Sequence, residues 1–183
     1  SQWTYTYFDN NLLKSEALTI DGLTFTTSYT RDNYGYLSGI NYPSGDYVEF
    51  TPDNFGRATR AVQSNNQETN IYANGIKYHL NNVVKEFTYG NGIEFNQGLN
   101  ARLMPITRSA SYAPEDIRIN PMELSYGYDE VGNSLEIKNL IDSSRNITNY
   151  FDGLNRLKTS NSTRGDITYV YDPLNNLRKR TVL

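Results

Sequence analysis

Hydrophobic and polar residues alternate over short stretches of this 183-residue chain. Leu135 and Ile137 fall on one face of an extended strand, and Glu136 and Lys138 fall on the other. The same alternation recurs at residues 167–171. No stretch of ten or more residues carries the 3.6-residue period of an amphipathic helix. The pattern therefore predicts an all-β protein.

A recurring turn motif separates the alternating stretches. It consists of an aromatic residue, an Asp, two variable residues and then Gly or Asn, as in Phe151-Asp152-Gly153-Leu154-Asn155. Asp is favoured at the first position of a type I turn and Gly at the fourth, where Asn also tolerates a left-handed backbone. The residues predicted to build these turns, in a structural role, are Asp32, Gly35, Asp53, Gly56, Tyr128, Asp129, Gly132, Phe151, Asp152, Asn155, Tyr171, Asp172 and Asn175.

The motif recurs at intervals of roughly 20–25 residues, which is typical of a repeat architecture. A degenerate copy of the motif, with His79 in place of Asp, lies within the long interval between Asp53 and Asp129. Residues 8–13 resemble a copy that lacks one turn residue, and residues 95–102 resemble a degenerate copy in which two extra residues spoil the register.

A second family of turns lies between these copies. It has an aromatic residue followed three positions later by Gly, as in the turns that begin at Tyr42, Tyr72 and Tyr89. Asn74-Gly75 within the second of them is a strong signal for a short hairpin. Asp21-Gly22 also predicts a tight turn. Two alternating turn families joined by short strands predict an antiparallel meander of β-hairpins.

Two stretches depart from this pattern. Residues 104–121 contain Pro105, Pro114 and Pro121, and prolines interrupt the hydrogen bonds of a central strand. We therefore predict an irregular interruption at 104–121, a loop that runs over the sheet. Residues 1–183 as a whole are interpreted as a fragment of one repeat domain. The polar residues 63–70 predict a second, longer loop.

The pattern aromatic-Asp-x-x-Gly/Asn, with Tyr-x-x-Gly turns between the copies, resembles the tyrosine–aspartate (YD) repeat of the Rhs family. That family includes bacterial Rhs polymorphic toxins, the BC cocoon of insecticidal Tc toxin complexes, and the animal teneurins. The resemblance is strongest over residues 126–183 and 29–62. It implies a curved strip of β-hairpins, or part of a β-shell; a closed β-sandwich or propeller is the alternative fold.

The resemblance also implies a function. The chain would be a structural, non-catalytic segment of a shell that encapsulates a toxin or other cargo and helps to deliver it. Its partners would be the remainder of a longer YD-repeat chain and its cargo domain, in a secreted or cell-surface protein of bacterial origin. The alternative is a carbohydrate-binding or adhesion module that binds glycans, because the chain contains 16 Tyr residues and exposed aromatic rings stack on sugars.

Composition narrows the remaining functions. A net charge of −3 and a pI near 5.2 give no electrostatic basis for nucleic-acid binding. The chain has no Cys, a single His and no apolar run of about 18 residues, so we expect no metal site, no cofactor and no membrane span. Asp172-Pro173 resembles the Asp-Pro step in the self-cleaving segment of some Rhs-type chains, but the repeat continues through it. We interpret it as a turn and expect no enzyme activity.

Both ends of the chain are strand-like, at residues 3–8 and 181–183, and both look cut from a longer array. Hairpins in a repeat array are stabilised mainly by their neighbours. We therefore expect the two terminal strands either to fray or to associate edge to edge with other chains.

Overall fold

The computed structural model describes residues 1–64, 69–112 and 119–183. The chain divides into two compact units, Ser1–Ile93 and Glu94–Leu183, which are described separately. The first unit contains β1 (Gln2–Tyr7), β2 (Leu13–Ile20), β3 (Leu23–Arg31), β4 (Leu37–Asn41), β5 (Tyr47–Glu49), β6 (Ala61–Ser64), β7 (Thr69–Tyr78) and β8 (Val84–Tyr89). The second contains β9 (Glu94–Leu99), β10 (Pro105–Tyr112), β11 (Ile119–Tyr128), β12 (Ser134–Asn139), β13 (Ile147–Phe151), β14 (Leu157–Ser162), β15 (Ile167–Tyr171) and β16 (Leu177–Val182).

Within each unit, consecutive strands pair antiparallel with one another in chain order. The helical content of the described residues is one 3₁₀ turn, Ser143–Arg145, between β12 and β13. The predicted all-β meander of hairpins is therefore confirmed. Because antiparallel strands reverse direction at every turn, successive turns fall alternately at the two ends of the strands.

Few side chains are buried, because each strand packs mainly against its two neighbours. The buried apolar residues of the described chain are Val48 and Val62 in the first unit and Ala110 in the second. Gln97 and Ser111 are the buried polar residues, and Gln97 accepts a hydrogen bond of 2.6 Å from Arg108 Nε. These sheets are therefore held together by backbone ladders and side-chain hydrogen bonds more than by an apolar core.

The predicted loop at 104–121 is wrong over most of its length, since β10 and β11 occupy 105–112 and 119–121. Pro105 is the first residue of β10, a position at which a strand accommodates proline. Pro121 lies within a shift of register between β10 and β11, where Ala110 pairs with Met122 and Tyr112 with Ile119. The missing N–H of Pro121 therefore removes no ladder bond there. Pro114 lies outside the described residues.

The predicted hairpin at Asn74-Gly75 is also wrong. Both residues lie inside β7, where the pairing with β8 is irregular between Asn74 and Lys77. The left-handed backbone of Gly75 serves this bulge rather than a chain reversal. The predicted loop at 63–70 is wrong at both of its ends, because β6 extends to Ser64 and β7 begins at Thr69. The positions between these strands lie outside the described residues. The tight turn at Asp21-Gly22 is confirmed as a two-residue hairpin between β2 and β3.

Candidate functional surface along the hairpin turns

Eight turns share one backbone geometry. In each, the N–H of the first residue donates to the carbonyl of the fifth, and the N–H of the fourth donates to the carbonyl of the first, at 2.8–3.3 Å. The first positions are Phe8, Asp32, Asp53 and His79 in the first unit, and Asn100, Asp129, Asp152 and Asp172 in the second. Within each unit the four turns lie at the same end of the strands, and we call them the turn column.

The fourth position of every one of these turns has a left-handed backbone, with φ between 59° and 99°. The residues there are Asn11, Gly35, Gly56, Asn82, Leu103, Gly132, Asn155 and Asn175. After most of these turns the register shifts by one residue, as between Tyr150 and Phe151 where β13 meets β14. A turn of this type followed by a bulge matches the right-handed twist of the flanking strands.

In six of the eight turns, an Asp or Asn side chain at the first position caps the turn. Asp152 Oδ1 accepts the N–H of Leu154 at 2.9 Å and that of Arg156 at 3.0 Å. Asp32, Asp53, Asp129 and Asp172 make the same pair of bonds to the third and fifth residues of their turns. Asn100 does so as well, with Oδ1 accepting from Arg102 and Met104 at 2.9 and 3.0 Å.

Hydrogen bonds lower the pKa values of four turn carboxyls, those of Asp53, Asp129, Asp152 and Asp172. The Arg57 side chain, which bonds Asp53 Oδ2 at 2.8 Å, holds the pKa of that carboxyl below its ordinary value. Arg156 does the same for the pKa of Asp152, from 2.7 Å. Burial acts in the opposite direction on Asp129, but hydrogen bonds led by that from Asn133 still lower its pKa.

The Asp172 carboxyl of the Asp172-Pro173 step has the same environment. Hydrogen bonds from the side chain and N–H of Asn176 lower its pKa. Arg178 Nη2 also lies 2.8 Å from Asp172 Oδ2. A carboxylate that is held ionised, with both oxygens engaged inside a turn, suits a capping role and is poorly placed to donate a proton.

Neighbouring turns of the column contact one another through a fixed pair of positions. The side chain at the fifth position of one turn lies against the fourth position of the next. Where that fourth residue is Gly, the covering side chain is large: Leu12 over Gly35, Tyr36 over Gly56, and Met104 over Gly132. A Cβ added to Gly56 would overlap the Tyr36 ring.

Where the fourth residue is Asn, the fifth residue of the preceding turn donates a hydrogen bond to it. Arg57 Nη1 bonds Asn82 Oδ1 at 3.1 Å, and Asn133 Nδ2 bonds Asn155 Oδ1 at 3.0 Å. Arg156 Nη1 bonds Asn175 Oδ1 at 2.9 Å. All six steps, three in each unit, therefore match either a large side chain with Gly or a hydrogen-bond donor with Asn.

At three junctions a Tyr immediately before the first position links a hairpin to the preceding one. The Tyr78 hydroxyl donates to the carbonyl of Ala58, Tyr128 to Pro105, and Tyr171 to Leu157, at 2.7–3.0 Å. Each acceptor is the residue that follows the fifth position of the preceding turn. Burial raises the pKa of Tyr78 and of Tyr128, which keeps both phenols protonated as donors.

Arginines at the fifth position also cover these Tyr rings. The Arg57 guanidinium lies 4.6 Å from the Tyr78 ring centroid, and Arg156 lies 4.7 Å from Tyr171. Each arginine thus connects its own turn Asp to the aromatic residue and the Asn of the next turn. Cation–π contacts of this kind stabilise partly buried arginines.

Of the sequence-predicted turn residues, the Asp residues lie at first positions of the column and the Gly and Asn residues at fourth positions. Tyr128, Phe151 and Tyr171 end the strands that lead into these turns. The sequence missed two complete turns. In the turn that begins at Phe8, no residue is lacking: Phe8 itself occupies the first position and Asp9 the second. In the turn that begins at Asn100, Asn replaces Asp, and Leu103 occupies the left-handed position. Neither the first nor the fourth position of this turn matches the sequence motif.

The second turn family differs less from the turns of the column than its sequence suggested. Tyr42 and Tyr89 begin turns with the same two backbone hydrogen bonds as the column, and Gly45 and Gly92 are left-handed. These turns lie at the opposite end of the strands. They have no Asp or Asn at the first position, as the column turns at Phe8 and His79 also do not, so their place at the opposite end of the strands is what distinguishes them from the column.

Two further kinds of site were sought in the described residues. Residues 1–64, 69–112 and 119–183 contain no group of three or more His, Cys, Asp or Glu side chains placed to hold a metal ion. The same residues include no helix that is long and apolar enough to span a membrane.

No protein-family model matches the chain, and no curated protein sequence matches it. Solved structures of Tc toxins do match it. A crystal structure of TcdB2-TccC3-Cdc42 has a TM-score of 0.82 at 16% identity, over 97% of this chain and 11% of that chain. One of TcdB2-TccC3 has a TM-score of 0.83 at 16% identity, over the same shares of the two chains. The Tc holotoxin pore of Photorhabdus luminescens has a TM-score of 0.79 at 18% identity, over 92% of this chain and 10% of that chain.

This likeness establishes the fold. The chain has the β-hairpin repeat fold of these Tc toxin structures, which confirms at the level of structure the resemblance seen in the turn motif. It spans about a tenth of the length of the chains it matches.

Proposed function

We propose that this chain, which shares its fold with part of the Tc toxin complexes, is a non-catalytic segment of a YD-repeat shell that encloses and helps to deliver a toxin or other cargo. The turn column is the observation that supports this best. It repeats one contact scheme from hairpin to hairpin, which suits a wall that grows by adding hairpins.

The sparse core supports the same proposal. A compact globular domain of this length would bury large apolar side chains, and none of the described residues has one that is fully buried. A sheet whose two faces are both partly polar can form the wall around a water-filled space. The proposed partners are accordingly the other repeats of a longer chain and a cargo domain, in a secreted or cell-surface bacterial protein.

The proposal is tested on the longest natural polypeptide that contains this chain. We expect protease to cleave the cargo domain slowly while the shell is intact and quickly when the cargo is produced alone. Gly56→Trp should disturb the column, because a ring at this position overlaps that of Tyr36, and should increase the rate of cargo cleavage. Gly45→Trp, at a left-handed residue with open space around it, is the matched control. Equal cleavage rates for enclosed and free cargo would refute encapsulation.

Carbohydrate binding is the second candidate, favoured by one depression in the first unit. It has a volume of about 440 Å³ and is lined by Phe8 and Tyr34 together with Asp9, Asp32 and amide side chains. Arg31 also lines it, and its Nε is a buried donor with no hydrogen-bond partner among the described residues. Aromatic rings beside carboxylate, amide and guanidinium groups offer both stacking and hydrogen bonds to a sugar.

A glycan array separates this candidate from the shell. Binding that is lost in Tyr34→Ala and kept in Tyr150→Ala, which removes an exposed ring of the second unit, would support a sugar site at the depression. Array binding that neither variant changes, or no binding at all, would remove the candidate and leave the shell proposal untouched.

A further inference from the structure

The first unit contains two Asn-Gly steps with nearly the same neighbours, Asn74-Gly75-Ile76 and Asn91-Gly92-Ile93. In such a step the backbone nitrogen of Gly can attack the side-chain carbonyl of Asn, because glycine has no Cβ to keep the two groups apart. Both glycines have a left-handed backbone. A difference in reactivity between the two steps would therefore arise mainly from the structure around them.

The nitrogen of Gly75 lies against the side chain of Asn74. Its N–H donates to Asn74 Oδ1 at 2.9 Å, so the side-chain carbonyl is held beside the nitrogen that would attack it. The pairing of β7 with β8 passes from Asn74 with Thr88 to Lys77 with Glu86, and Gly75 has no partner among the described pairs of β7 with β6 or β8. A ring can therefore form here without breaking a ladder pair at Gly75.

This step is also open to solvent. Asn74 and Gly75 are both exposed. No described atom beyond the adjoining residues lies within 4 Å of the place that a Cβ on Gly75 would occupy. Hydroxide can therefore reach the N–H of Gly75, and a tetrahedral intermediate at Asn74 Cγ has room to form.

At the second step both reacting groups are bonded elsewhere. Gly92 is at the fourth position of the turn that begins at Tyr89, and its N–H donates to the Tyr89 carbonyl at 2.9 Å. Asn91 Oδ1 accepts the N–H of Ile93 at 3.2 Å. Both bonds must break before the nitrogen of Gly92 can attack the Asn91 side chain, and this requirement raises the barrier to attack.

We propose that Asn74 is a site of spontaneous modification in the folded protein, where the side-chain amide is lost and isoaspartate forms. The nitrogen of Gly75 loses its proton to hydroxide and bonds to Asn74 Cγ, and the amide nitrogen leaves as ammonia. One water molecule then opens the resulting cyclic imide, at one carbonyl to give Asp and at the other to give isoaspartate. The proposal goes beyond cargo enclosure, since it concerns one step of β7 and holds whatever the shell contains.

The two steps can be compared within one sample. The full chain is incubated at mildly alkaline pH and digested at acidic pH, where the imide forms slowly, and mass spectrometry then measures the fraction of each Asn that has lost its amide. Asn74 should react at least about tenfold faster than Asn91, because the second step must first break two hydrogen bonds. Isoaspartyl methyltransferase should label the peptide that contains residue 74.

Unfolding in guanidinium chloride provides the structural control. The unfolded chain keeps none of these hydrogen bonds, so its two Asn-Gly steps should react at nearly equal rates. The ratio of the two rates should therefore be at least about tenfold larger in the folded chain than in the unfolded one. An equal ratio in the two states would overturn the proposal, as would an Asn74 that keeps its amide in the folded chain.

Two substitutions form a matched pair. Asn74→Gln and Asn91→Gln each add one methylene to the side chain, which makes closure of the ring much slower. Asn74→Gln should remove most of the ammonia released by the folded chain, whereas Asn91→Gln should leave this release nearly unchanged. Circular dichroism checks that both variants are folded, and the comparison within the wild-type chain needs neither of them. Equal release from the two variants would overturn the assignment of Asn74 as the reactive site.

Discussion

At the scale of single residues, the fourth turn position is constrained twice. Its left-handed backbone favours Gly or Asn, and the fifth residue of the preceding turn then decides between the two. Tyr36 lies so close to Gly56 that no side chain fits, whereas Arg156 requires an acceptor and meets Asn175. Choice of residue at one turn thus depends on a residue one hairpin away.

Gly56→Ala tests this double constraint. Alanine at a left-handed position costs about 1–2 kcal/mol by itself, and the clash with the Tyr36 ring should add at least about 1 kcal/mol. Gly45→Ala, at a left-handed glycine with nothing within 4 Å of the added Cβ, should show the first cost alone. Denaturant unfolding of the two variants measures the difference. Equal losses would mean that Tyr36 moves away freely.

The turn carboxylates make stability depend on pH. The pKa values of Asp53, Asp152 and Asp172 are lower in the folded chain than the ordinary value of 3.8, so their stabilising contribution is complete above about pH 4. As the pH falls from about 4 through the lower folded-state values, the folded chain must take up protons that the unfolded chain binds more readily, and this contribution is lost.

The melting temperature should therefore be level near neutral pH and fall below about pH 4. Asp152→Asn keeps an acceptor for the N–H groups of Leu154 and Arg156, as Asn100 does naturally in its own turn, but cannot titrate. It should lower the melting temperature at neutral pH and flatten the acid decline. A decline as steep as that of the unmodified chain would exclude Asp152 as a contributor.

At the scale of elements, a Tyr hydroxyl binds one hairpin to the preceding one at three junctions. Tyr128→Phe removes the bond to the carbonyl of Pro105, which then lacks that donor, and should cost about 0.5–1.5 kcal/mol. Tyr150→Phe removes a hydroxyl from a side chain that is 54% exposed, and should be nearly neutral. Equilibrium unfolding followed by circular dichroism compares the two; a neutral Tyr128→Phe would mean that water replaces the phenol without loss.

Much of the element pattern could be read from the sequence, because its turn chemistry is local. An Asp that caps the third and fifth N–H groups of its own turn needs nothing from elsewhere in the chain, and Asp152 and Asp129 were found on that basis. The turn at Asn100 was missed because Leu103 adopts a left-handed backbone that its own side chain disfavours. Its neighbours impose that conformation.

Non-local contacts also explain why the other predictions from the sequence were wrong. Asn74-Gly75 has the composition of a tight turn, yet Ile76 donates its N–H to Thr59, and β7 continues through both residues. Pairing with β6 and β8 outweighs the local preference. Similarly, Pro121 is tolerated because a bulge in the partner register removes the bond that it cannot make. Contacts between turns, such as Arg57 with Asn82, cannot be read without knowing which turns are adjacent.

At the scale of the whole molecule, the effect of a local defect on stability should decrease with distance along the array. Each hairpin contacts mainly its neighbours, so a local defect spreads through successive interfaces and weakens at each one. Arg156→Ala removes bonds to Asp152 and Asn175 and the contact with the Tyr171 ring. Hydrogen exchange should accelerate most in β13–β16 and least in β9 and β10. A uniform acceleration across the second unit would show instead that it unfolds as one cooperative block.

The turns at the two ends of the strands differ in how much their length and geometry vary. The turn column repeats one geometry, whereas the opposite end has a two-residue hairpin at Asp21-Gly22, a five-residue turn from Tyr42 and a 3₁₀ turn at Ser143–Arg145. Accordingly, the interval from Asp152 to Asp172 is shorter than that from Asn100 to Asp129, although both junctions keep the same register.

The opposite end is therefore where the chain can accept foreign sequence. Lengthening a flexible loop costs only loop-closure entropy, about 0.6 kcal/mol for each doubling. A short epitope inserted after Ser44 should leave the melting temperature almost unchanged and be bound by its antibody. The same epitope inserted after Asn54 would separate Asp53 from the N–H groups that it caps and displace Gly56 from Tyr36, and should unfold that hairpin. The opposite end of the strands can thus accept added sequence while the turn column keeps its geometry.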